Sequence, residues 1–284
     1  MKTIAIIGLG LIGGSIGLKL KGLGTGDRVL GIPRREETLK KALEMGTIDE
    51  GSLDVSKVAE ADIVFLCTPI NLIIPRLKEL VPHLKKGAVV SDVGSTKTEI
   101  VSQAEKLMPK GTYFVGGHPM AGKEQTGIEV AEAELFKDKV WILTETSKTR
   151  QKALEQVEEV VRLLGPKVVR MDIKTHDLVV AGISHVPLAA AAMLVNLVAG
   201  SEQKDQMAQC AASGFRDTTR VASGDPVLGR DMFTTNRVAI LKTLKNFRAK
   251  LLELEKLIKK GDAAAIEKEL KFAKEFRDRI YGQS

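Results

Sequence analysis

Four histidines occur in the 284 residues, and one, His118, lies within Gly116-Gly117-His118-Pro119-Met120-Ala121-Gly122 (GGHPMAG). An imidazole has an ordinary pKa of about 6.5 and exchanges a proton near neutral pH. The flanking glycines predict a tight turn that presents this ring after a strand, at the carboxyl edge of a sheet, where open α/β sheets bind ligands. A proton acceptor there, beside a redox cofactor, suits the dehydrogenation of an alcohol. Ser95, in Asp92-Val93-Gly94-Ser95-Thr96-Lys97, follows another predicted strand and belongs to the same edge. Its hydroxyl can hold His118 or a substrate hydroxyl, or cap a helix.

Ser213-Gly214-Phe215-Arg216-Asp217-Thr218-Thr219-Arg220 sets two arginines four residues apart, on one face if helical. A guanidinium grips a carboxylate with two parallel hydrogen bonds; the competing use is an ion pair of Arg216 or Arg220 with Asp217. His185, within an apolar stretch, reads as a hydrogen-bonded core histidine. His83 and His176 read as surface residues.

The redox cofactor is suggested by Gly8-Leu9-Gly10-Leu11-Ile12-Gly13, a GxGxxG pattern directly after a β-branched run. Gly8 serves the turn, Gly10 lets a pyrophosphate approach the backbone, and Gly13 permits close helix packing. The amides of Leu11, Ile12 and Gly13 then open a helix whose positive end attracts phosphate. About 20 residues further on, where an acid would bind a ribose 2′-hydroxyl, stands Pro33, followed by Arg34 and Arg35. Two guanidinium groups suit a 2′-phosphate, which favours NADP and leaves NAD possible. Thr68-Pro69, ending a strand, is expected to wall the cofactor cleft. No metal is called for.

These residues need a scaffold, and the apolar runs supply one. Strands are predicted at 3–7, 28–32, 62–67, 88–92, 113–116, 140–144 and 168–169, with helices at 11–20, 36–45, 74–84 and 148–164 between them. Such alternation predicts an α/β fold, a Rossmann-type parallel sheet covered by helices. Beyond Asp172 only helices are predicted: an apolar one over 172–199, one capped by Asp225-Pro226, and two amphipathic ones toward the C-terminus. The expected division is a nucleotide-binding domain over 1–170 and an all-α substrate and dimerisation domain over 171–284. Residues 178–200 are long and apolar enough to span a bilayer, but polar residues within the stretch favour a buried central helix.

The net charge of +7 comes with interleaved acids and few aromatic residues, which argues against a nucleic-acid partner. Two cysteines without CxxC spacing support neither disulfides nor zinc, and a cytoplasmic location fits. Neither a signal peptide nor a membrane role is expected.

In order along the chain, GLGLIGGS, LCTP, DVGSTK, GGHPMAG, ISHVP and SGFRDTTR resemble the prephenate and arogenate dehydrogenases of tyrosine biosynthesis. The resemblance implies oxidative decarboxylation of a cyclohexadienol, with hydride passing to the nicotinamide and carbon dioxide leaving as the ring becomes aromatic. It places the catalytic base at His118, a hydroxyl-binding serine at Ser95 and the substrate-carboxylate arginine at Arg220, with Arg216 nearby. It also implies a homodimer through the helical domain. His185 and Glu124 complete the expected substrate-binding set, Glu124 as a partner for a substrate ammonium. Prephenate-type members often carry SHLPH, whereas this chain has Leu188 in Ser184-His185-Val186-Pro187-Leu188, which tilts the expectation toward arogenate. The alternatives are a prephenate dehydrogenase using NAD or NADP, and a catalytically silent nucleotide-sensing protein. GGHPMAG argues against a β-hydroxyacid dehydrogenase, which relies on a lysine base.

Overall fold

The computed structural model describes residues 2–123 and 125–282. Strand β1 (Thr3–Ile7) leads through α1 (Leu11–Leu23) to β2 (Arg28–Ile32), then through α2 (Glu36–Glu44) to the short β3 (Glu50–Gly51). β4 (Ile63–Leu66), α3 (Ile70–Leu80), β5 (Val89–Asp92), α4 (Thr98–Leu107) and β6 (Tyr113–Pro119) continue the alternation. β7 (Val140–Glu145), α5 (Gln151–Leu163) and β8 (Lys167–Asp172) complete it.

The eight strands form one sheet in the order β3-β2-β1-β4-β5-β6-β7-β8. Every neighbouring pair is parallel except β6 with β7. The expected parallel sheet thus contains one reversal, at the strand that carries His118. Side chains alternate between the faces, as a strand's period of two requires. Ile4 and Ile6 join Ile16, Leu20, Leu154 and Val157 on one face, while Ala5 and Ile7 join Ile73, Leu77 and Ile100 on the other. Helices cover both faces, which explains the near-continuous apolar strands.

The chain order reverses beside β1, and there the glycine turn opens α1. Gly8 takes φ +93°, and a Cβ on Gly13 would stand 2.1 Å from the Gly8 carbonyl oxygen, so no side chain fits.

After β8 the chain becomes helical. Asp172 caps α6 (Ile173–Val180) by accepting hydrogen bonds from the amides of Lys174 and Thr175. A π-helical segment (Ala181–His185) then leads into α7 (Val186–Ala199). Pro187, which lacks an N–H, lies just beyond that widened turn, a usual place for one. The anticipated apolar helix is therefore one continuous run with a defect in its middle. Its burial differs from expectation: within α7 only Val186 and Ala191 are buried, while Met193 is 60% and Leu197 71% exposed.

α8 (Lys204–Cys210), α9 (Ser213–Thr219), a 3₁₀-helical turn (Arg220–Ser223) and α10 (Pro226–Thr235) follow, the last capped by Asp225 as expected. The chain divides into two compact units, residues 1–237 and 238–284. The second unit contains nearly all of α11 (Arg237–Lys260), together with α12 (Ala263–Tyr281). Large apolar side chains stay exposed on both helices, among them Val238, Ile258, Leu270 and Phe272.

Replacing Gly13 by alanine is expected to destabilise the protein by about 2–3 kcal/mol, the usual cost of overpacking. At Gly10 a Cβ would meet nothing within 4 Å, and Gly10→Ala should cost less than about 1 kcal/mol. Urea unfolding midpoints compare the two, and equal midpoints would refute the packing argument.

Candidate active site

His118 stands in the last turnless stretch of β6, opposite Ile142 of β7, and not on the predicted turn. Its glycine neighbours serve packing. A Cβ on Gly117 would stand 2.6 Å from the Asp92 carbonyl oxygen and 3.2 Å from Trp141 Nε1, so β6 can lie this close to β5 and β7 only without side chains there. His118 itself is 7% exposed.

Its Nδ1 lies 2.9 Å from Nε2 of His176, whose Nδ1 lies 2.8 Å from Oδ1 of Asp177. His176 is completely buried, contrary to the surface position expected for it. As the fourth residue of α6 it faces inward onto the sheet edge. Asp177 also accepts hydrogen bonds from the backbone amides of Lys97 at 2.8 Å and Thr98 at 2.9 Å, which begin α4. One carboxylate thereby caps a helix from a distance and holds an imidazole.

A second buried carboxylate lies beneath the first motif. Asp92 accepts from the amides of Gly94 at 2.8 Å and Gly117 at 3.2 Å, and it pairs with the ammonium of Lys97, both side chains being wholly buried. It joins the DVGSTK loop to the strand bearing His118. Ser95 lies on that loop, half-buried, and its hydroxyl makes no hydrogen bond among the described residues. The helix-capping alternative for Ser95 does not hold, because α4 starts at Thr98 and takes its cap from Asp177.

Burial pushes the His118 pKa well below the usual imidazole range, with the charges of His176, Lys97 and His185 acting in the same direction. Burial also lowers that of His176, opposed by its hydrogen bond to Asp177. Asp177, which burial alone would raise, is held below the ordinary carboxylate value by hydrogen bonds from His176, Thr98 and Lys97. At neutral pH the cluster therefore contains two neutral imidazoles and an ionised carboxylate. His185 is fully buried and lies 3.2 Å by its Nδ1 from the Asn236 amide nitrogen, which also donates to the Asp177 carbonyl at 2.8 Å. Its Nε2 is buried without a partner among the described residues, and burial lowers its pKa to about 4.

A cleft of about 600 Å³ opens at the carboxyl ends of β1, β2 and β4. Gly8, Gly10, Arg34, Arg35, Thr68 and Pro69 all line it. Open space over Gly10, the uncapped first turn of α1 and the buried hydroxyl of Thr68, unpartnered among the described residues, fit a dinucleotide. Leu11 and Ile12 turn their side chains to the core, leaving their amides at the helix end. Lys41 and Arg76 add cations to the lining, and Lys41 pairs with Glu129 at 2.5 Å.

The two arginines of SGFRDTTR do not share one α-helical face. Arg216 lies in α9 and Arg220 begins the 3₁₀-helical turn. Arg216 is exposed and its Nε lies 2.9 Å from Asp217, the ion pair anticipated for one of the two. Arg220 is exposed as well. Glu124 lies outside the described residues.

Residues 16–170 match the model of the prephenate dehydrogenase nucleotide-binding domain, and residues 172–272 match that of the prephenate dehydrogenase dimerization domain. The chain belongs to the prephenate/arogenate dehydrogenase family. Prephenate dehydrogenase of Bacillus subtilis (strain 168) is 36% identical over 279 residues, 97% of this chain and 75% of that protein. The crystal structure of Synechocystis arogenate dehydrogenase is 38% identical, with a TM-score of 0.89 over 98% of this chain and 99% of that one. Prephenate dehydrogenase from Aquifex aeolicus, in complex with hydroxyphenyl propionate and NAD+, is 34% identical, with a TM-score of 0.92 over 99% of this chain and 98% of that one. This family member is accordingly a dehydrogenase with a nicotinamide-type nucleotide domain and a helical C-terminal part.

Sequence reading missed His176, Asp177 and the Lys97–Asp92 pair. Lys97 and Asp92 stood inside a motif already singled out. For His176-Asp177, the available signal was an adjacent acid and imidazole just after a helix cap.

The buried histidines make stability pH-dependent. The unfolded chain binds protons near pH 6.5, whereas folded His185 resists protonation until about pH 4. Its contribution is thus fully present above pH 6.5 and is lost on acidification toward pH 4, by up to about 3 kcal/mol. Urea unfolding of the protein between pH 7 and pH 4.5 should show stability falling, with a shallower slope in His185→Gln. Parallel slopes would refute the assignment.

Proposed function

We propose that this chain carries out the oxidative decarboxylation of arogenate to tyrosine with NADP. The observation that carries the cofactor choice is the cleft edge after β2, where Pro33 replaces the ribose-binding acid and Arg34 and Arg35 line the cavity. The bound nicotinamide supplies the hydride acceptor. Everything else falls to side chains. In this reading Gly8, Gly10 and the first amides of α1 seat the pyrophosphate, and Thr68 and Pro69 wall the cleft.

His118 takes the proton of the substrate hydroxyl, and Ser95, whose hydroxyl has no partner among the described residues, holds that same hydroxyl in line. Arg220 grips a substrate carboxylate, and Arg216, already paired with Asp217, stands in support. Burial keeps His118 unprotonated, so that its lone pair is available. Aromatisation drives the reaction, so one base and accurate orientation suffice.

Leu188 supports arogenate over prephenate, since it is a partly buried apolar side chain packed against the core and offers no polar group where prephenate-type relatives often carry histidine. Prephenate with NAD is the second reading, favoured by the close likeness to the Aquifex aeolicus prephenate dehydrogenase crystallised with NAD+. We also infer a nucleotide domain over 1–170 and a helical domain over 171–284 that forms a homodimer. The match over residues 172–272 and the exposed apolar side chains of α7, α11 and α12 support this.

Rates with arogenate and prephenate, each with NAD and NADP, test the substrate and the coenzyme together. Arogenate with NADP should give the highest kcat/KM. Arg34→Ala and Arg35→Ala should weaken NADP selectively, and equal losses with NAD would remove the phosphate role. His118→Asn should lower kcat by about 10²–10⁴-fold with cofactor affinity nearly unchanged. Near-normal turnover would remove His118 from the mechanism.

A further inference from the structure

We propose that His176 and Asp177 are positioning residues that fix the tautomer of His118, leaving its Nε2 as the bare, proton-accepting nitrogen. This rests on the reading of His118 as the base.

The assignment follows from counting hydrogens along the chain of contacts. Asp177 Oδ1 is a carboxylate oxygen, which only accepts, so the Nδ1 of His176 at 2.8 Å must carry a hydrogen. A neutral imidazole has one ring N–H, so Nε2 of His176 is bare. It can only accept across the 2.9 Å contact, and Nδ1 of His118 is therefore the donor. The hydrogen of His118 is then used up, and the lone pair is left on Nε2. Had His176 been a solvent-exposed residue, water could serve either ring nitrogen and no tautomer would be selected. Both rings and the carboxylate are almost wholly buried, so no such substitute exists.

Asp177 is itself held in place. Its two oxygens also take the amides of Lys97 and Thr98, and its backbone carbonyl takes the Asn236 amide. The carboxylate cannot turn away from His176 without exposing the start of α4. The same anchor fixes the end of the loop that carries Ser95, two residues before Lys97. Base and hydroxyl are thus referred to one carboxylate, although neither touches it.

The full-length protein tests this with His176→Leu, which removes the acceptor, and His176→Gln, whose amide oxygen can replace Nε2. His176→Leu should lower kcat on the order of 10²-fold with the substrate KM and cofactor Kd within about twofold, and His176→Gln should restore most of it. Ring ¹⁵N spectra of His118 in the substrate-free protein should show a protonated Nδ1 and a bare Nε2 in the wild type, a preference lost in His176→Leu. A protonated Nε2 in the wild type overturns the proposal, as does wild-type kcat in His176→Leu. Equal losses in both variants with a matching fall in Tm leave only a structural role and overturn it too. Failure of the underlying reading looks different, because His118→Asn would then keep its turnover whatever the ring spectra show.

Discussion

The Asp177 carboxylate takes the His176 ring N–H and the two amides that open α4, and so ties the first helix after the sheet to the connection between β5 and α4. A carboxylate in so dry a place costs several kcal/mol unless its lone pairs are filled, and here they are. Removing it would leave two helix amides and an imidazole without partners, each worth about 1–3 kcal/mol of lost solvation. The geometry of the site therefore depends on a residue that makes no direct contact with His118. A second carboxylate, Asp92, does the corresponding work from below by joining the DVGSTK loop, Lys97 and the strand of His118.

Burial sets the electrostatic character of this centre. A histidine on an open turn would titrate near neutrality, whereas His118 within β6, with a buried ammonium and two further imidazoles nearby, is kept neutral well into the acid range. Neutrality is the state a proton acceptor requires. The glycines beside it contribute indirectly: they let β6 lie against β5 and β7 where a Cβ would clash. The one antiparallel pairing of the sheet lies at this strand.

At the other end of the reaction path, the nucleotide cleft and the helical part obey different physics. The cleft depends on unpaired amides and open space over Gly10, features of backbone conformation. Beyond the sheet, Leu197 of α7 is an exposed apolar side chain, and in the separate unit 238–284 so is Phe272 of α12. Burying each large apolar side chain is worth about 1.5–3 kcal/mol, and residues 172–272 match the model of a dimerization domain.

The sequence by itself determined the alternation of strands and helices, the glycine turn before α1, the Asp225 cap and the family. Each of these rests on local chemistry, either a period, a φ value or a cap, that neighbouring residues specify. The reading failed where a residue's role depends on distant partners. Glycines beside His118 suggest a turn because conformational freedom is visible locally, while the clash of a Cβ with Asp92 and Trp141 is not. His176 looks like a surface residue in sequence because nothing adjacent shows that α6 returns to the sheet edge, where it is buried. The apolar stretch of α7 could not reveal whether it is covered by its own chain. Tertiary structure alone decided that a histidine 58 residues away in sequence stands 2.9 Å from His118. That distance, and not the residue types, selects which ring nitrogen carries the hydrogen.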